Sequence, residues 1–381
     1  MPRTLLVTND FPPRTGGIQA YLGSLAALLP EDELVVSAPD WPGAAAFDRS
    51  APYPVHRHRS TLMLPLPDVA RHAAALARAH RCDTVWFGAA APLTLLGPAL
   101  RRNGGIERVV ASTHGHEVGL SRLPGGLRAL RRIGRTTDVL TAVSRFTRSR
   151  LAPAVAPAPP PVLLPPGVDT ELYRPDPAAR AELRQRYRLG AAPVIACVSR
   201  LVRRKGQDGL IATLPAVRAS VPGTRLLLVG GGPDEPRLRR LASRFGVAEH
   251  VMFAGRVPSA ELAAHQAVGD VFALPCRTRY GGADVEGLGI ASLEAAACGL
   301  PVVVGDAGGA PETVRPGETG LVVDGTDLDL LAASLCRLLA DPRRAAEIGA
   351  AGREWMRQDW RWPAAALRLQ DVLDGLPAQR A

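Results

Sequence analysis

Short apolar runs alternate along the chain with longer amphipathic stretches in a repeated order. In the first half, apolar runs predict strands at residues 5–9, 34–37, 84–87, 109–113, 139–143 and 162–164. Helical patterns separate several of these runs, notably at residues 18–29, 69–81 and 93–101. The order restarts in the second half, with predicted strands at residues 194–198, 225–229, 251–254, 271–274, 302–304 and 321–323. Nearly continuous apolar strands joined by helices indicate parallel sheets that are covered on both faces.

The two series of strands predict an α/β protein with two Rossmann-like, doubly wound domains. A Pro/Ala-rich stretch at residues 152–166 suggests a loose linker, interrupted by one strand, with the domain boundary near Gly167–Asp176. We expect an N-terminal domain at residues 1–168 and a C-terminal domain at residues 169–352. The remaining residues 353–381 are predicted to be helical with a break at Pro363, and to cross back to the first domain.

The composition is that of a globular protein, with 46% hydrophobic and only 4% aromatic residues. The five cysteines are scattered and form no CxxC pair, so we expect buried, reduced thiols. The apolar run at residues 4–7 is too short for a signal peptide, and no apolar stretch approaches the roughly 18 residues of a membrane span. These features predict a cytoplasmic protein.

The net charge of +10 is concentrated in the first domain, where residues 1–165 hold 19 arginines against 11 acidic residues. No nucleic-acid module is recognisable and aromatic residues for base stacking are scarce, so nucleic acid is not an expected partner. The segment at residues 127–135 mixes apolar and basic positions as an interfacial helix does. A helix face that is merely solvated explains the same pattern equally well.

Lys205 is the single lysine among 46 basic residues. In a chain that otherwise uses arginine, its retention favours a chemical role over surface charge, and a compact ammonium suits a point contact to phosphate. Arg200 lies five residues earlier, just after a predicted strand. The two cations could converge on one diphosphate and neutralise a leaving group.

A glycine-containing turn at residues 9–17 follows the first predicted strand and precedes a helix. Gly16 and Gly17 would let backbone N–H groups approach a phosphate there, although a tight turn alone explains them too. The turn is neither GxGxxG nor GxxxxGK[ST], which argues against a nicotinamide enzyme and a P-loop protein.

The segment at residues 284–295 places Glu286 before a predicted helix and Glu294 about two turns into it. Two such carboxylates could hold hydroxyl groups of one sugar-containing ligand, whereas a capping acid and a solvated acid are the simpler alternative.

His114 and His116 follow another strand end. His56 and His58 have metal-like spacing without a third ligand and are expected on the surface. Asp327 is read as a helix cap rather than as part of a DxD motif.

Together these motifs resemble the retaining glycosyltransferases of family 4, which have the GT-B fold. The resemblance rests on the glycine turn, SR-x4-KG at 199–206, E-x7-E at 286–294 and GGAPE at 308–312, and it covers nearly the whole chain. The finer detail of TNDFPPRTGGIQAYL, STHGHEV and DVEGLGIASLEA is similar to the actinobacterial mannosyltransferases that act on phosphatidylinositol mannosides. The resemblance implies two domains that face a central cleft and close over it, with the acceptor on the first and the donor on the second.

The resemblance also implies roles for individual residues. Gly16 and Gly17 would face the donor diphosphate, which Arg200 and Lys205 would bind. Glu286 would hold the donor sugar and Glu294 the ribose, while Val257 and Ser259 would receive the base. His114 would contact the transferred sugar, with His116 as a second candidate. Further donor contacts would come from the backbone of Gly287, Leu288, Gly289 and Ile290, and no metal would be required.

The expected reaction is therefore transfer of mannose from GDP-mannose to a phosphatidylinositol mannoside with retention of configuration, the leaving phosphate accepting the acceptor's proton. His114, Arg200, Lys205 and Glu286 are the expected catalytic residues. The basic first domain would lie peripherally on the anionic inner face of the cell membrane. Another nucleotide sugar with another lipid or polysaccharide acceptor is the nearest alternative. A two-lobed, non-catalytic sugar-binding protein is a remote one.

Overall fold

The computed structural model describes residues 3–377 of the chain. Residues 1–2 and 378–381, the ends of the predicted first domain and of the predicted C-terminal segment, lie outside these. The chain divides into two compact units. Among the described residues, the first unit comprises residues 3–167 together with residues 362–377, and the second is Val168–Arg361. The C-terminal segment thus joins the first unit from Trp362 rather than from residue 353.

The first unit contains a seven-stranded, entirely parallel sheet in the order β3-β2-β1-β4-β5-β6-β7. Its strands are β1 (Thr4–Val7), β2 (Leu34–Pro39), β3 (Val55–His58), β4 (Thr84–Phe87), β5 (Arg108–Thr113), β6 (Val139–Ala142) and β7 (Val162–Leu163). The edge strand β3 was not among the predicted strands, because its sequence Val-His-Arg-His contains no apolar run.

Eight helices belong to the described part of this unit. They are α1 (Gly17–Ala26), α2 (Ala44–Ser50), α3 (Pro67–Ala79), α4 (Gly97–Gly104), α5 (His116–Leu120), α6 (Gly126–Thr136), α7 (Arg145–Val155) and, at the C-terminal end, α15 (Trp362–Asp374). Helix α15 packs on α1, where the Trp362 ring lies 5.9 Å from that of Tyr21.

The prediction of a loose linker from residue 152 is wrong for its first residues, which complete α7. Leu151, Ala154 and Val155 are at most 5% exposed and α7 packs on α6. Burial of these side chains outweighs the backbone hydrogen bond that Pro153 removes from the helix.

The second unit repeats the architecture with a six-stranded parallel sheet in the order β10-β9-β8-β11-β12-β13. Its strands are β8 (Val194–Val198), β9 (Arg225–Val229), β10 (Val251–Gly255), β11 (Val271–Leu274), β12 (Val302–Gly305) and β13 (Gly320–Val323). Its helices are α8 (Pro177–Arg186), α9 (Gln207–Ser220), α10 (Glu235–Arg244), α11 (Leu262–Ala267), α12 (Ile290–Ala297), α13 (Leu328–Ala340) and α14 (Pro342–Asp359). The prediction of two doubly wound parallel domains is confirmed.

The strand order brings particular loops together in each unit. β1 lies between β2 and β4, and β8 lies between β9 and β11, so the chain direction across the sheet reverses at these strands. Open parallel sheets bind ligands at the carboxyl ends of their strands at this reversal. In the second unit, the loops after β8 and β11 therefore meet.

None of the helices within residues 3–377 combines the length and the apolar character that a bilayer crossing requires.

Candidate functional site

Lys205 and Glu286 form a buried ion pair at the reversal point of the second sheet. Lys205 ends a 3-10 turn after β8, and Glu286 lies in the loop after β11. The Lys205 Nζ is 2.7 Å from the Glu286 Oε2, and the two side chains are only 11% and 9% exposed. The structure thus brings together a lysine and a glutamate that lie 81 positions apart in the sequence.

The charge state of Glu286 depends on this pairing. Burial would raise the pKa of its carboxyl group, but the positive charges of Lys205 and Arg204 more than offset this and lower the pKa below its ordinary value. The Arg204 Nε lies 3.5 Å from the same carboxylate oxygen. Glu286 is therefore an ionised acceptor in a buried position, which suits it to accept hydrogen bonds from hydroxyl groups.

Two glycines allow the loops around this pair to approach each other. Gly206 has a φ of 77°, and a Cβ there would lie 2.0 Å from the Pro275 carbonyl oxygen. Gly308 has a φ of 63°, and a Cβ there would lie 1.9 Å from the Glu286 carbonyl oxygen. Any side chain at either position would push the loops after β8, β11 and β12 apart.

The expected donor-binding backbone leads directly into α12. Gly289 is the left-handed residue before the helix, with a φ of 94°, and Ile290 is its first residue. Leu288 is buried. Glu286 and Gly287 therefore precede a helix start, where free N–H groups and the helix dipole favour anionic or hydroxyl ligands.

Glu294 lies one to two turns into α12, and its carboxylate is hydrogen-bonded to other residues of the second unit. Its Oε2 accepts a hydrogen bond from the Gln266 Nε2 at 2.9 Å. Burial raises the pKa of Glu294, although hydrogen bonds from Gln266 and Tyr173 work against that shift. The structure does not bring Glu294 into the Lys205–Glu286 pair.

Arg200 is the exposed cation of the predicted set. Within residues 3–377 the structure assigns its guanidinium no ion pair. Its backbone is held by Gln207, whose Nε2 donates to the Arg200 carbonyl oxygen and to the Ser199 Oγ, each at 2.9 Å. Gln207 is 1% exposed and fixes the turn that carries Arg200. This contact could not be predicted from the sequence, because it depends on how the start of α9 folds against the loop before it.

Val257 and Ser259 follow β10 and lie in a loop at the edge of the second sheet. Val257 is partly buried, and Ser259 is exposed at the start of a short 3-10 turn. Among the described residues, no hydrogen bond or ion pair joins either residue to the Lys205–Glu286 pair.

A network of arginines and acids lies beside the turn that carries Lys205, where the Arg277 N–H donates to the Arg204 carbonyl oxygen at 2.8 Å, and it was missed from the sequence. Arg277 Nη2 contacts both carboxylate oxygens of Asp208, at 2.5 and 2.6 Å, and Arg237 reaches Asp208 at 3.0 Å. Burial would raise the pKa of Asp208, but these two arginines lower it below its ordinary value. Only the folding of α9, α10 and the loop after β11 brings these residues together.

In the first unit, Gly16 and Gly17 mark the start of α1, as predicted for the turn after β1. Both are exposed, and Gly16 precedes the helix in an extended conformation. The loop is braced by Gln19, whose Nε2 donates to the Asp10 Oδ1 at 2.7 Å.

His114 follows β5 and is fixed on two sides. Its Nε2 donates to the Gly88 carbonyl oxygen at 2.7 Å, and its ring lies edge-on to Tyr21 at 5.3 Å. Burial lowers the pKa of His114, although Glu117 and the Gly88 carbonyl oppose the shift. The ring is thus neutral near pH 7, and its Nδ1 is left as a hydrogen-bond acceptor.

Glu117 holds this turn and was not assigned a role from the sequence. It is fully buried, and its Oε2 accepts hydrogen bonds from the backbone N–H of His114 at 3.0 Å and of Gly115 at 3.2 Å. His116 is 47% exposed and its Nε2 lies 3.3 Å from the Glu117 Oε1. The available sequence signal was a carboxylate in the first turn of a helix, three residues after His114.

The expectation that His56 and His58 lie on the surface is wrong for His58, while His56 is partly buried. His58 is only 7% exposed, and the His56 Nε2 is 2.8 Å from that of His80. Both project from β3 toward α3, where the His58 ring lies 5.2 Å from His72. Residues 3–377 hold no group of three side chains arranged to bind a metal ion.

Two smaller predictions are confirmed. Asp327 caps α13, its Oδ1 accepting from the Leu330 N–H at 2.9 Å. The five cysteines are free thiols, and four of them are buried, while Cys336 is partly exposed.

Comparison with known proteins covers both units. Residues 15–172 match the model of glycosyltransferase family 4, and residues 179–355 match that of the glycosyl transferases group 1. The chain is 58% identical over 375 residues to a GDP-mannose-dependent alpha-(1-6)-phosphatidylinositol monomannoside mannosyltransferase of Mycolicibacterium smegmatis, covering 97% of this chain and 98% of that protein.

Two further matches extend this picture. A GDP-mannose-dependent monoacylated alpha-(1-6)-phosphatidylinositol monomannoside mannosyltransferase of Corynebacterium glutamicum is 47% identical, over 98% of each chain. The solved structure of Anabaena HepE in complex with UDP-glucose superposes with a TM-score of 0.83 at 21% identity, covering 98% of this chain and all of that one. The structural likeness bears on the fold alone.

Proposed function

Because this chain belongs to the family 4 glycosyltransferases, we propose that it transfers mannose from GDP-mannose to a phosphatidylinositol mannoside with retention of configuration. The observation that carries the proposal is similarity along nearly the whole chain to relatives named for this donor and this acceptor. The buried ionised Glu286 and its lysine supply chemistry that suits such a donor.

The proposed donor site is built on the second unit. Lys205 and the exposed Arg200 would neutralise the diphosphate, aided by the N-terminal end of α9. Once Lys205 turns to the diphosphate, Glu286 would accept hydrogen bonds from hydroxyl groups of the donor sugar. Glu294 would bind the ribose, and Val257 and Ser259 the base.

The proposed reaction proceeds on one face of the sugar. The bond between the anomeric carbon and the β-phosphate oxygen breaks, and the acceptor oxygen bonds to the same face. The departing phosphate takes the acceptor's proton, so GDP leaves and the configuration is retained. Charge on the leaving GDP is stabilised by the two cations where it develops.

Since these side chains supply the positive charge, we propose that no divalent metal is required. Excess EDTA should then leave the transfer rate within about twofold of the untreated rate. Removal of a metal that stabilised charge in the transition state would lower the rate far more than that. A rate restored only by added Mg²⁺ or Mn²⁺ would contradict this.

The roles of the first unit complete the proposal. His114 would contact the transferred sugar through its Nδ1, with His116 beside it, while Gly16 and Gly17 would approach the diphosphate. The exposed arginines of α6 would hold the protein against the anionic inner face of the cell membrane.

The direct test is a panel of nucleotide sugars in thermal denaturation, followed by mass analysis of lipid acceptors incubated with the stabilising donor. GDP-mannose should stabilise the protein most, and phosphatidylinositol mannosides should gain the mass of one hexose. If only a different nucleotide sugar stabilised the protein, that nucleotide sugar would be the donor instead of GDP-mannose. Binding without any mass gain would indicate a non-catalytic sugar-binding protein.

A further inference from the structure

A short hairpin between β11 and α12 carries an unusually exposed aromatic ring. Arg279 and Asp284 close the hairpin with reciprocal backbone hydrogen bonds of 2.9 and 3.2 Å. Tyr280 lies at the tip and is 73% exposed, more than any other exposed large hydrophobic residue between residues 3 and 377. The backbone of the hairpin is hydrogen-bonded across its base, yet its largest side chain is turned to solvent.

The tip also has a strained conformation. Tyr280 has a φ of 50°, followed by Gly281 at 60° and Gly282 at 101°. Glycine adopts this left-handed region readily, whereas a tyrosine does so at a cost. Strain of this kind persists mainly where a site requires a side chain in a particular position. A glycine would fit the turn better, so the turn itself does not explain Tyr280.

The ring is held before any ligand arrives. The Arg279 guanidinium carbon lies 4.4 Å from the ring centroid, and the Arg279 Nη2 donates to the Tyr280 hydroxyl at 2.9 Å. This arginine covers one face of the ring. A fixed ring with a second, solvent-facing side loses little conformational freedom when a flat ligand packs on it.

Charged contacts connect this hairpin to Glu286. The Asp284 carboxylate lies 3.7 Å from Arg279 on one side and 3.4 Å from Arg204 on the other. Arg204 in turn lies 3.5 Å from the Glu286 carboxylate. The exposed ring therefore lies on a segment fixed to the carboxylate that the proposed function assigns to the donor sugar.

We propose that Tyr280 is a stacking surface for a pyranose ring of the acceptor headgroup. The C–H groups of a pyranose carry partial positive charge and pack on the negative face of an aromatic ring. Glu286 is only 7% exposed, whereas Tyr280 is largely open, so Tyr280 suits a sugar that arrives from solvent rather than the enclosed donor sugar. This inference rests on the proposed function, because it takes its ligand from the acceptor proposed there, and it gives the second unit one contact to an acceptor that the family resemblance expects on the first.

The test measures KM separately for GDP-mannose and for a phosphatidylinositol mannoside acceptor. Tyr280→Gly removes the ring and relieves the left-handed strain, so its melting temperature should be no lower than that of the original protein. Its KM for the acceptor should rise roughly three- to tenfold, the range expected for loss of one aromatic contact, with the KM for GDP-mannose unchanged. Tyr280→Phe keeps the ring, and its KM values for the acceptor and for GDP-mannose should both stay within about twofold of the original values. The hydroxyl group that it loses bonds only Arg279.

Phe245→Ala is the matched control, since Phe245 is also an exposed aromatic of the second unit, 40% exposed at the C-terminal end of α10. It should change neither KM. An unchanged acceptor KM in Tyr280→Gly, or a rise in the donor KM instead, would overturn the inference while the original protein remains active. Absence of transfer by the original protein would instead refute the proposed function.

Discussion

At the residue scale, Lys205 keeps Glu286 ionised and Glu286 holds the Lys205 ammonium group in place. Glu286 stays ionised in a buried position because Lys205 is 2.7 Å away, and Lys205 is held in place by the same contact. A buried pair of this kind contributes little net stability, but removal of one partner leaves an uncompensated charge. Two different variants can therefore separate its contribution to folding from its contribution to turnover.

Lys205→Ala should reduce kcat at least about 100-fold, as expected for loss of one charge-stabilising group. It should also lower the free energy of unfolding by about 1–3 kcal/mol, because only Arg204 then remains near the Glu286 carboxylate. Lys205→Met combined with Glu286→Gln should regain much of that stability but none of the activity. Steady-state kinetics and chemical denaturation give the two quantities.

The matched control for this variant is Arg203→Ala. Arg203 lies in the same 3-10 turn but is 53% exposed. Its loss should change kcat by no more than about threefold, because an exposed charge is screened by solvent. An unchanged rate in Lys205→Ala would refute the assignment of Lys205.

Glu117 is a positioning residue, since it acts on the turn that carries His114. Glu117→Ala removes the acceptor of two backbone N–H groups and should lower kcat/KM by about tenfold or more. Glu117→Gln retains an oxygen acceptor and should recover most of the activity. The exposed Glu107 provides a control, because Glu107→Ala should have no effect. Equal losses in the Ala and Gln variants would contradict a positioning role.

At the element scale, α6 is an amphipathic helix with different environments on its two sides. Its apolar side, with Leu130 and Ile133 buried, packs on its own unit beside α7. Its other side exposes four arginines: Arg128, Arg131, Arg132 and Arg135. Because Leu130 and Ile133 are already covered and only Leu127 of the apolar side is exposed, at 36%, we expect α6 to bind an anionic surface mainly through its arginines.

Replacement of those four arginines by glutamine should weaken sedimentation with anionic vesicles by about tenfold or more, since each basic residue near such a surface contributes about 1 kcal/mol. Zwitterionic vesicles should bind neither protein, and added salt should weaken the original binding. Glutamine at Arg343, Arg344, Arg357 and Arg361 removes the same charge from exposed positions of the second unit and should have little effect. Equal losses in both variants would mean that the location of the charge on α6 is unimportant.

The histidines between β3 and α3 are a second feature at this scale. On β3, His56 contacts His80, which directly follows α3, and His58 contacts His72 on α3. Burial, together with the neighbouring histidines, lowers the pKa of both His56 and His72 below the ordinary value of 6.5. The folded protein therefore favours the neutral form of His56 and of His72.

At the scale of the whole molecule, these shifts predict how stability depends on pH. A histidine with a lowered folded-state pKa binds its proton more tightly in the unfolded chain. Its contribution to stability is complete above about pH 6.5 and is lost as the pH falls through the folded pKa. The lowered pKa values of Glu286 and Asp208 extend the loss below pH 4.5, whereas the raised pKa of Glu294 adds stability as the pH falls toward 4.5 and so opposes the loss above that pH.

The melting temperature should therefore fall between pH 7 and pH 5, and His56→Gln combined with His72→Gln should flatten that part of the curve. His116→Gln, which removes an exposed imidazole, should leave the curve unchanged. A double variant with the same slope as the original protein would show that these histidines do not determine it. Differential scanning fluorimetry across a pH series provides the measurement.

The sequence by itself determined the two parallel-sheet units, since buried strands of parallel sheets are apolar at every position. It also indicated Lys205 and Glu286, because one lysine among many arginines and a glutamate at a helix start are local signals. The strand β3 could not be predicted in this way, since its polar sequence becomes a strand only by pairing with β2.

Only the tertiary structure decided which of these residues meet. Lys205 touches Glu286 because the strand order places β8 beside β11, and nothing in the intervening sequence specifies that order. The same holds for Glu117 beneath His114, Gln207 beneath Arg200 and the charged contacts that link Tyr280 to Glu286. Side-chain contacts depend on distance in space, and a linear sequence records only distance along the chain.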